Sequence, residues 1–388
     1  MSELTSEDSL RLNVMLAGEI QAIRVDATNM TIYGLSPRGT ASIKLHPNGR
    51  ADQYLRTVRE LLAGHAIGSP GGYPVYLQRW TRMGQARDKG LDRLLLLGEP
   101  EAVTSVAYSN GLTDELARRA WWAMPVADNA RRMLERECVV QGTMGKVLAD
   151  YLVEHLPFEN DPHIIIETIS ILLQPGLIEE KTRQQLWKKG IVDNAYLVGF
   201  LARIPDELPD QLQPRSDFDT VRNKLTSLCA ENNIYATSLL RLLSGPGQSF
   251  FNAYEEVLRY PADQDVILAL LEALWSYFHD LHQDKSRGND DSIEKIVSDI
   301  SAAISSKEQP SELTKLLQVV PDLAAEIHAM LILARIDANI ATPILSQTTA
   351  HGTLMRKKLE PVTLPILQQI ALLRCKPFSS STTRRRPH

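Results

Sequence analysis

The helical periodicity of the chain beyond about residue 50 is the feature that most limits its possible folds. Apolar residues recur there at spacings of three and four, in pieces of roughly 10 to 20 residues that proline or glycine separates. Such pieces with short joints predict antiparallel helical hairpins. No convincing repeat of fixed length is present, so the pattern predicts a loosely stacked helical array or two helical bundles and leaves a regular solenoid unproven. The expected fold class is mainly α.

The first fifty residues follow a different period, of two residues. Three short runs alternate apolar and polar side chains, which predicts a small antiparallel β-meander in residues 1–50. Turns are expected at 26–29 and at 36–39, where Pro37 and Gly39 suit a type I turn. The alternating residues are Ile23 and Val25, then Thr31, Tyr33 and Leu35, then Ala41, Ile43 and Leu45.

A sheet of this size is marginally stable unless its apolar face is covered. The helical segment that follows supplies a cover, because its apolar residues form one stripe and Gly64 is expected to end it. The stripe consists of Tyr54, Leu55, Val58, Leu61 and Leu62.

Composition breaks divide the chain into four predicted parts. These are the meander at 1–50, a helical domain packed on the sheet at 51–205, a second helical domain at 215–376 and a disordered tail at 378–388. Three prolines in 204–217 mark the main boundary. Residues 284–292 form a lesser hinge.

Bulk composition narrows the class of protein. The 388 residues are 44% hydrophobic and 23% charged with a net charge of -5, which is typical of a soluble protein without global attraction to nucleic acid or anionic membranes. The acidic N-terminus does not resemble a secretory signal, and no apolar run approaches the roughly 20 residues of a membrane helix. Three distant cysteines argue against a disulfide framework. A cytoplasmic protein is predicted.

The string GTMGK at 142–146 partly resembles a phosphate-binding loop. That motif needs a glycine four residues before Gly-Lys and a hydroxyl after it, but Val140 and Val147 hold those positions. Helical pattern lies on both sides, whereas a phosphate loop leads from a strand into a helix. The string is therefore interpreted as a helix break, with Thr143 as the cap of the next helix.

Two histidines, His279 and His282, lie one turn apart in a predicted long helix and could approach one metal ion. An apolar stripe passes between them, and a third ligand is lacking at helical spacing. We interpret them as flanks of a packing face, and no metal or other cofactor is predicted.

A cluster of aromatic and basic residues is the strongest candidate for a binding surface. At helical spacing Trp121 and Trp122 point in different directions, so one is expected in the core and one nearer the rim. A stacked Trp/Arg surface suits a protein partner or a nucleotide base. The alternative is a solvated face whose arginines pair with Asp114, Glu115, Glu135 and Glu137. The candidate partner-binding residues are Arg118, Arg119, Trp121, Trp122, Arg131 and Arg132, with Asn129 between the two groups.

Two further sites are weaker candidates. Gly71 and Gly72 could line a ligand pocket with their amides or simply turn the chain. Cys375 lies between Arg374 and Lys376. It is either a solvent-accessible thiol whose thiolate form is stabilised by the two cations, or a small apolar residue buried in the core. Three arginines at 384–386 could contact RNA only weakly. No Gly-x-Ser-x-Gly elbow, zinc helix or Rossmann fingerprint occurs, which favours interaction or regulation over catalysis.

Four long strings carry a family resemblance. They are SPGGYPVYLQRWTRMGQARD (69–88), LLLLGEPEAV (94–103), GLTDELARRAWWAMPVADNARRMLE (111–135) and LQPGLIEEKTRQQLWKKG (173–190). They resemble the DsrS family, cytoplasmic proteins encoded with the dissimilatory sulfite reductase genes of sulfur-oxidising bacteria, over most of residues 9–210. The resemblance implies an accessory or regulatory role in oxidising stored sulfur, including effects on expression after transcription, and carries over no catalytic residues.

Three hypotheses follow from the residues and the resemblance together. The leading one is a non-enzymatic helical scaffold whose Trp/Arg face docks a protein of the sulfur-oxidation system or its mRNA. The second is a sulfur carrier or transferase that forms a persulfide on Cys375. The third is nucleotide binding near Gly71 and Gly72. The oligomeric state stays open.

Overall fold

The computed structural model describes residues 4–68, 90–282, 292–305, 310–346 and 352–374. It confirms the predicted class, because a small antiparallel sheet near the N-terminus is followed by a succession of helices. The chain forms two compact units. The first contains the described residues up to 158 together with 174–178, and the second contains 159–173 and the described residues from 179 onward.

The predicted meander is present in the first unit. Strands β1 (Ala22–Asp26), β2 (Thr31–Ser36) and β3 (Gly39–Lys44) pair antiparallel in the order β1-β2-β3. The register places Ile32 opposite both Val25 and Ile43. A helix that the sequence did not predict, α1 (Ser6–Leu16), precedes the sheet and is capped by Thr5.

The core of this region lies between the sheet and two helices. Ile23 and Ile32 pack with Leu12 of α1 and with residues of α2 (Ala51–Ile67). The predicted α2 stripe is confirmed, since Tyr54, Leu55, Val58 and Leu62 are buried in this cluster and Leu61 packs against it. On β2, however, Ile32 faces this core, and Thr31, Tyr33 and Leu35 lie on the opposite face of the strand.

The end of α2 differs from the prediction. Gly64 lies inside the helix, which continues to Ile67 and ends at Gly68, whose φ of 65° is left-handed. Glycine adopts that conformation without the steric cost of a Cβ, so Gly68 is the natural stop.

Within the described residues, the first unit also contains helices that are shorter than α2. They are α3 (Leu91–Leu94), α4 (Pro100–Ala107), α5 (Asp114–Ala123), α6 (Ala127–Met133), α7 (Glu137–Val140) and α8 (Thr143–His155), followed by a 3-10 turn at Leu156–Phe158.

The second unit is built around a buried helix. Residues 194–201 are all buried, and their helix packs against the helices Pro162–Leu172, Glu180–Lys189, Gly245–Arg259 and Gln264–Tyr277. The helices are α9 (Pro162–Leu172), α10 (Glu180–Lys189), α11 (Asn194–Arg203), α12 (Phe218–Ala230), α13 (Ile234–Leu243), α14 (Gly245–Arg259) and α15 (Gln264–Tyr277). They continue with α16 (Ile293–Ser305), α17 (Ser311–Val319), α18 (Ala324–Leu333), α19 (Thr342–Leu345) and α20 (Gly352–Arg374), with 3-10 turns at His279–His282, Pro321–Leu323 and Ala338–Ile340.

The segment 204–217, expected as the main boundary, lies inside the second unit. Leu208 is buried, the Trp187 indole donates a hydrogen bond to Asp210 at 2.8 Å, and Arg215 is buried. The division between the compact units therefore falls elsewhere in the sequence. The tail at 378–388 and the hinge at 284–292, except Ser292, lie outside the described residues.

Among the described residues, no individual helix combines the length and apolar composition needed to cross a membrane. One pair, Ser311–Val319 with Pro321–Leu333, meets both criteria only when its two parts are combined, and it is bent by 106°.

Candidate functional site

The six partner-binding candidates lie on α5 and α6 in the first unit. Thr113 caps α5, accepting a hydrogen bond from the Leu116 amide, and the helix ends before Pro125. A short α6 then begins at Ala127. We call Arg118, Arg119, Trp121, Trp122, Arg131 and Arg132 the Trp–Arg cluster.

The two tryptophans are both half-buried, so the expectation of one core and one rim residue is wrong. Different elements cover them from two directions. Trp121 meets Tyr151 of α8 edge to face at 4.7 Å, and Tyr151 in turn stacks on His155 at 3.8 Å. The sheet contacts Trp122 through Arg24.

Arg24 of β1 ties the cluster to the sheet. Its guanidinium lies 5.1 Å from the Trp122 ring and 4.8 Å from the Tyr33 ring, and it donates a hydrogen bond to the Trp122 carbonyl oxygen at 3.4 Å. A cation between two aromatic faces is held by the ring quadrupoles. The alternation of β1 points Arg24 away from Ile23, but the sequence alone did not show that α5 lies on that side.

The arginines of α5 share one carboxylate. Glu115 accepts hydrogen bonds from Arg118 at 2.7 Å and from Arg119 at 2.8 Å, and Arg118 also donates to the Gln21 side chain. The bond from Arg118 is the main cause that lowers the pKa of Glu115 to about 2, against the opposing effect of partial burial, and Arg119 adds to it. Glu115 is therefore ionised across the ordinary pH range.

The arginines of α6 are also paired. Arg131 is buried and lies 3.3 Å from Asp128, whereas Arg132 pairs with Glu135 and lies over the Tyr108 ring at 5.4 Å. Every arginine of the cluster thus has a carboxylate within ion-pair distance. Three carboxylates therefore offset most of the positive charge of the four arginines.

Two of the four predicted acidic partners have other roles. Glu137 accepts a hydrogen bond from Gln141 at 2.7 Å. Asp114 accepts hydrogen bonds from the Thr143 amide at 2.9 Å, the Thr143 hydroxyl at 2.7 Å and the Met144 amide at 3.0 Å. Asp114 therefore caps α8 from another helix.

The string GTMGK is a helix break, as predicted. It joins α7 to α8, and the Asp114 carboxylate occupies the helix N-terminus where a phosphate loop would hold phosphate. Thr143 is not the cap, because it is the first residue of α8 and its hydroxyl donates to Asp114. Gly142 occupies the cap position, where a Cβ would overlap the Asp114 carboxylate.

The histidine pair is not on a long helix. His279 and His282 lie in a 3-10 turn after α15 ends at Tyr277. His282 stacks on Trp275 at 3.6 Å, and its Nε2 lies 2.6 Å from the Ala334 carbonyl oxygen. Its contacts are those of a packing residue. No three His, Cys, Asp or Glu side chains converge as metal ligands within the described ranges.

The other candidate site residues cannot be placed in the structure. Gly71, Gly72 and Cys375 lie outside the described residues. Of the other cysteines, Cys138 is exposed and its thiol donates to the Leu112 carbonyl oxygen at 3.2 Å, and Cys229 is half-buried.

Sequence reasoning missed several members of this surface. Arg24 of β1, Tyr108 after α4, and Tyr151 and His155 of α8 surround the cluster. Helical spacing places Tyr151 and His155 on one face of α8, which is the only signal in the sequence for this pair.

Comparisons of the chain with family models, with curated proteins and with solved structures find no match.

Proposed function

We propose that the chain is a non-catalytic helical scaffold that binds a protein partner through the Trp–Arg cluster. We also propose the setting that the DsrS resemblance implies, an accessory or regulatory role in dissimilatory sulfur oxidation in the cytoplasm. One observation supports the binding proposal above the others. Two half-buried tryptophans lie among four arginines, each of which is within ion-pair distance of one of three neighbouring carboxylates.

The pairing of the arginines favours protein over RNA as the partner. RNA affinity rests largely on cations that neutralise phosphates and release counterions. Arginines already paired with Glu115, Asp128 and Glu135 would have to exchange those partners to bind phosphate. Tryptophan, tyrosine and arginine are instead the residues that dominate the energy of protein interfaces.

The cluster is also held in place before any partner arrives. Arg24 is fixed between Tyr33 and Trp122, and Trp121 is fixed against Tyr151. Side chains that are ordered in the free protein lose less conformational entropy on binding. A preorganised aromatic surface fits docking of a folded partner.

Arg132→Ala tests the proposal against a matched control, Arg222→Ala. Each arginine lies over an aromatic ring, at 5.4 Å and 5.5 Å respectively, and each pairs with a carboxylate three residues away. Only Arg132 belongs to the cluster. Tagged full-length variants would be used for affinity capture from sulfur-oxidising cells grown on reduced sulfur, with recovered protein and RNA both quantified.

We expect recovery of a specific protein to fall at least about tenfold for Arg132→Ala, in the range of an interface hot spot. Recovery should not change for Arg222→Ala. Equal recovery from both variants, with unchanged thermal stability, would overturn the assignment of the surface. RNA recovery that depends on Arg132 would replace the protein partner by RNA.

A further inference from the structure

A cleft of about 720 Å³ lies in the first unit beside β3. One wall is formed by α1 and the residues after it, including Leu10, Val14 and Ile20, and the other by the end of β2 and by β3. None of its lining residues belongs to the Trp–Arg cluster. The cleft is therefore a separate feature of this unit.

The cleft runs along the β3 edge of the sheet, which pairs with no other strand among the described residues. β3 is the last strand in the order β1-β2-β3, and four consecutive residues, 41–44, line the cleft. Side chains of a strand alternate between its two faces, so a cleft lined by four in a row lies at the strand's edge.

The hydrogen-bond pattern shows which backbone groups face the cleft. The Leu45 amide donates to the Met30 carbonyl oxygen at 2.8 Å, and the register places Ile43 opposite Ile32 and Ala41 opposite Gly34. In an antiparallel ladder every second residue exchanges backbone hydrogen bonds with the neighbouring strand. Ile43 and Ala41 therefore bond to β2, as Leu45 does. The amide and carbonyl groups of Ser42 and Lys44 then point outward, toward the open edge.

The walls combine apolar and basic chemistry. Leu10 and Val14 of α1 are each 66% exposed, although they lie on a helix whose other face is buried in the core. Arg11, Arg38 and Lys44 contribute positive charge to the lining, against one acidic residue, Glu19. Arg11 pairs with Glu7, whereas no described carboxylate lies within ion-pair distance of Arg38.

We propose that the edge of β3 binds an extended segment of a partner protein in which apolar and acidic side chains alternate. The segment would add a fourth strand by pairing with the outward backbone groups of Ser42 and Lys44. Its apolar side chains would contact Leu10 and Val14, and its carboxylates would meet Arg38, because the Lys44 ammonium already donates a hydrogen bond to the Asn29 carbonyl oxygen in the turn between β1 and β2. A second copy of this chain fits less well, because pairing two β3 edges brings two sets of the same basic residues together.

The probe for this site is a fluorescein-labelled peptide of eight residues that alternates valine and glutamate. Its binding to the full chain would be followed by fluorescence anisotropy, with a valine–lysine peptide as the charge control. Ser42→Pro removes a backbone amide that points toward the open edge, and it removes no hydrogen bond to β2. Proline is tolerated at such a position because its nitrogen faces away from the sheet. Arg38→Glu reverses the rim charge, and Arg56→Glu, on exposed α2 surface outside the cleft, is its matched control.

We expect saturable binding of the glutamate peptide, weakened at least tenfold by Ser42→Pro, by Arg38→Glu and by exchange of glutamate for lysine. Arg56→Glu should change the Kd less than twofold. Arg38→Glu keeps the test valid if Ser42→Pro fails to fold. The proposal is overturned if binding is absent at about 1 mM peptide, if both peptides bind equally, or if Arg38→Glu has no effect. Self-association that Ser42→Pro abolishes would assign the edge to a second copy instead.

Discussion

Asp8 shows how a single buried charge is stabilised in this protein. Its side chain is fully buried, and it accepts hydrogen bonds from the Tyr54 hydroxyl at 2.6 Å and from the His46 amide at 2.8 Å. The His46 ring lies 3.5 Å away. Burial by itself would raise the pKa of Asp8, but the bonds from Tyr54 and His46 outweigh it and lower the pKa below its ordinary value of 3.8.

Replacing this carboxylate should therefore destabilise the first unit. We expect Asp8→Asn to lower the free energy of unfolding at pH 7 by about 1–3 kcal/mol, since the bonds from Tyr54 and His46, which both end on Oδ2, would no longer be made to a charged acceptor. A depressed folded pKa gives stability that is present above the unfolded pKa and is lost as pH falls through the folded pKa. Urea titrations should show that the wild type has a higher free energy of unfolding than Asp8→Asn at pH 7, and that this difference is smaller below pH 3.8.

Glu7 provides the control for this prediction, because it lies next to Asp8 on α1 but its side chain is 63% exposed. Glu7→Gln should change the unfolding free energy by no more than about 0.5 kcal/mol. A difference between wild type and Asp8→Asn that stays constant from pH 7 to pH 3 would contradict the assigned pKa direction.

At the scale of elements, the start of α8 depends on close packing against α7. A Cβ on Gly145 would overlap the Val140 carbonyl oxygen and lie 2.8 Å from that of Val139. Gly64 is also inside a helix, but no described atom lies within 4 Å of a Cβ built there. Both glycines are therefore helical, but Gly145 is tightly packed and Gly64 has open space where a Cβ would lie.

We expect Gly145→Ala and Gly64→Ala to change stability in opposite directions. Alanine in a helix is favoured over glycine by about 0.5–1 kcal/mol, so Gly64→Ala should raise the unfolding free energy by that amount. Gly145→Ala should lower it by about 1–3 kcal/mol, because backbone carbonyls cannot move away as side chains can. Thermal and urea unfolding measure both, and stabilisation by Gly145→Ala would refute the packing role.

The helices and the caps that act locally could be predicted from the sequence. Thr113 and Asp161 cap the helices that directly follow them, and the α2 stripe is buried as its spacing indicates. Contacts between distant parts could not be predicted in this way. Asp114 caps a helix that begins 29 residues later, and Arg24 reaches Trp122 across 98 residues. Nothing in the local spacing encodes such partners, because they depend on how elements pack.

The dependence on packing between distant elements also explains the wrong prediction for Trp121 and Trp122. Helical geometry correctly separates the directions of Trp121 and Trp122, but only the positions of α8 and β1 decide that both become half-buried. The pairing of arginines with Glu115 and Glu135 was predictable, because residues three and four apart meet on a helix surface.

At the scale of the whole molecule, prolines in 204–217 suggested a linker, yet tertiary contacts hold this segment. The Arg215 side chain is 3% exposed and pairs with Asp217 at 2.6 Å and with Glu326 of α18 at 3.0 Å. The Leu212 amide also donates to the Ser249 hydroxyl at 2.8 Å. Proline removes helical structure from a segment without determining whether the segment is anchored.

Arg215→Ala tests whether 204–217 is anchored or a linker. The substitution leaves Asp217 and Glu326 without their shared cation, and we expect a loss of about 2–3 kcal/mol, somewhat below the cost for a fully buried pair because Asp217 keeps contact with water. Cleavage at Glu207 by a glutamate-specific protease should be slow in the wild type and faster in the variant, since opening of the segment precedes cutting. Arg222→Ala, which breaks an exposed pair with Asp219, should cost no more than about 1 kcal/mol and leave cleavage unchanged. Rapid cleavage of the wild type at Glu207, at the rate of the variant, would instead identify the segment as a linker.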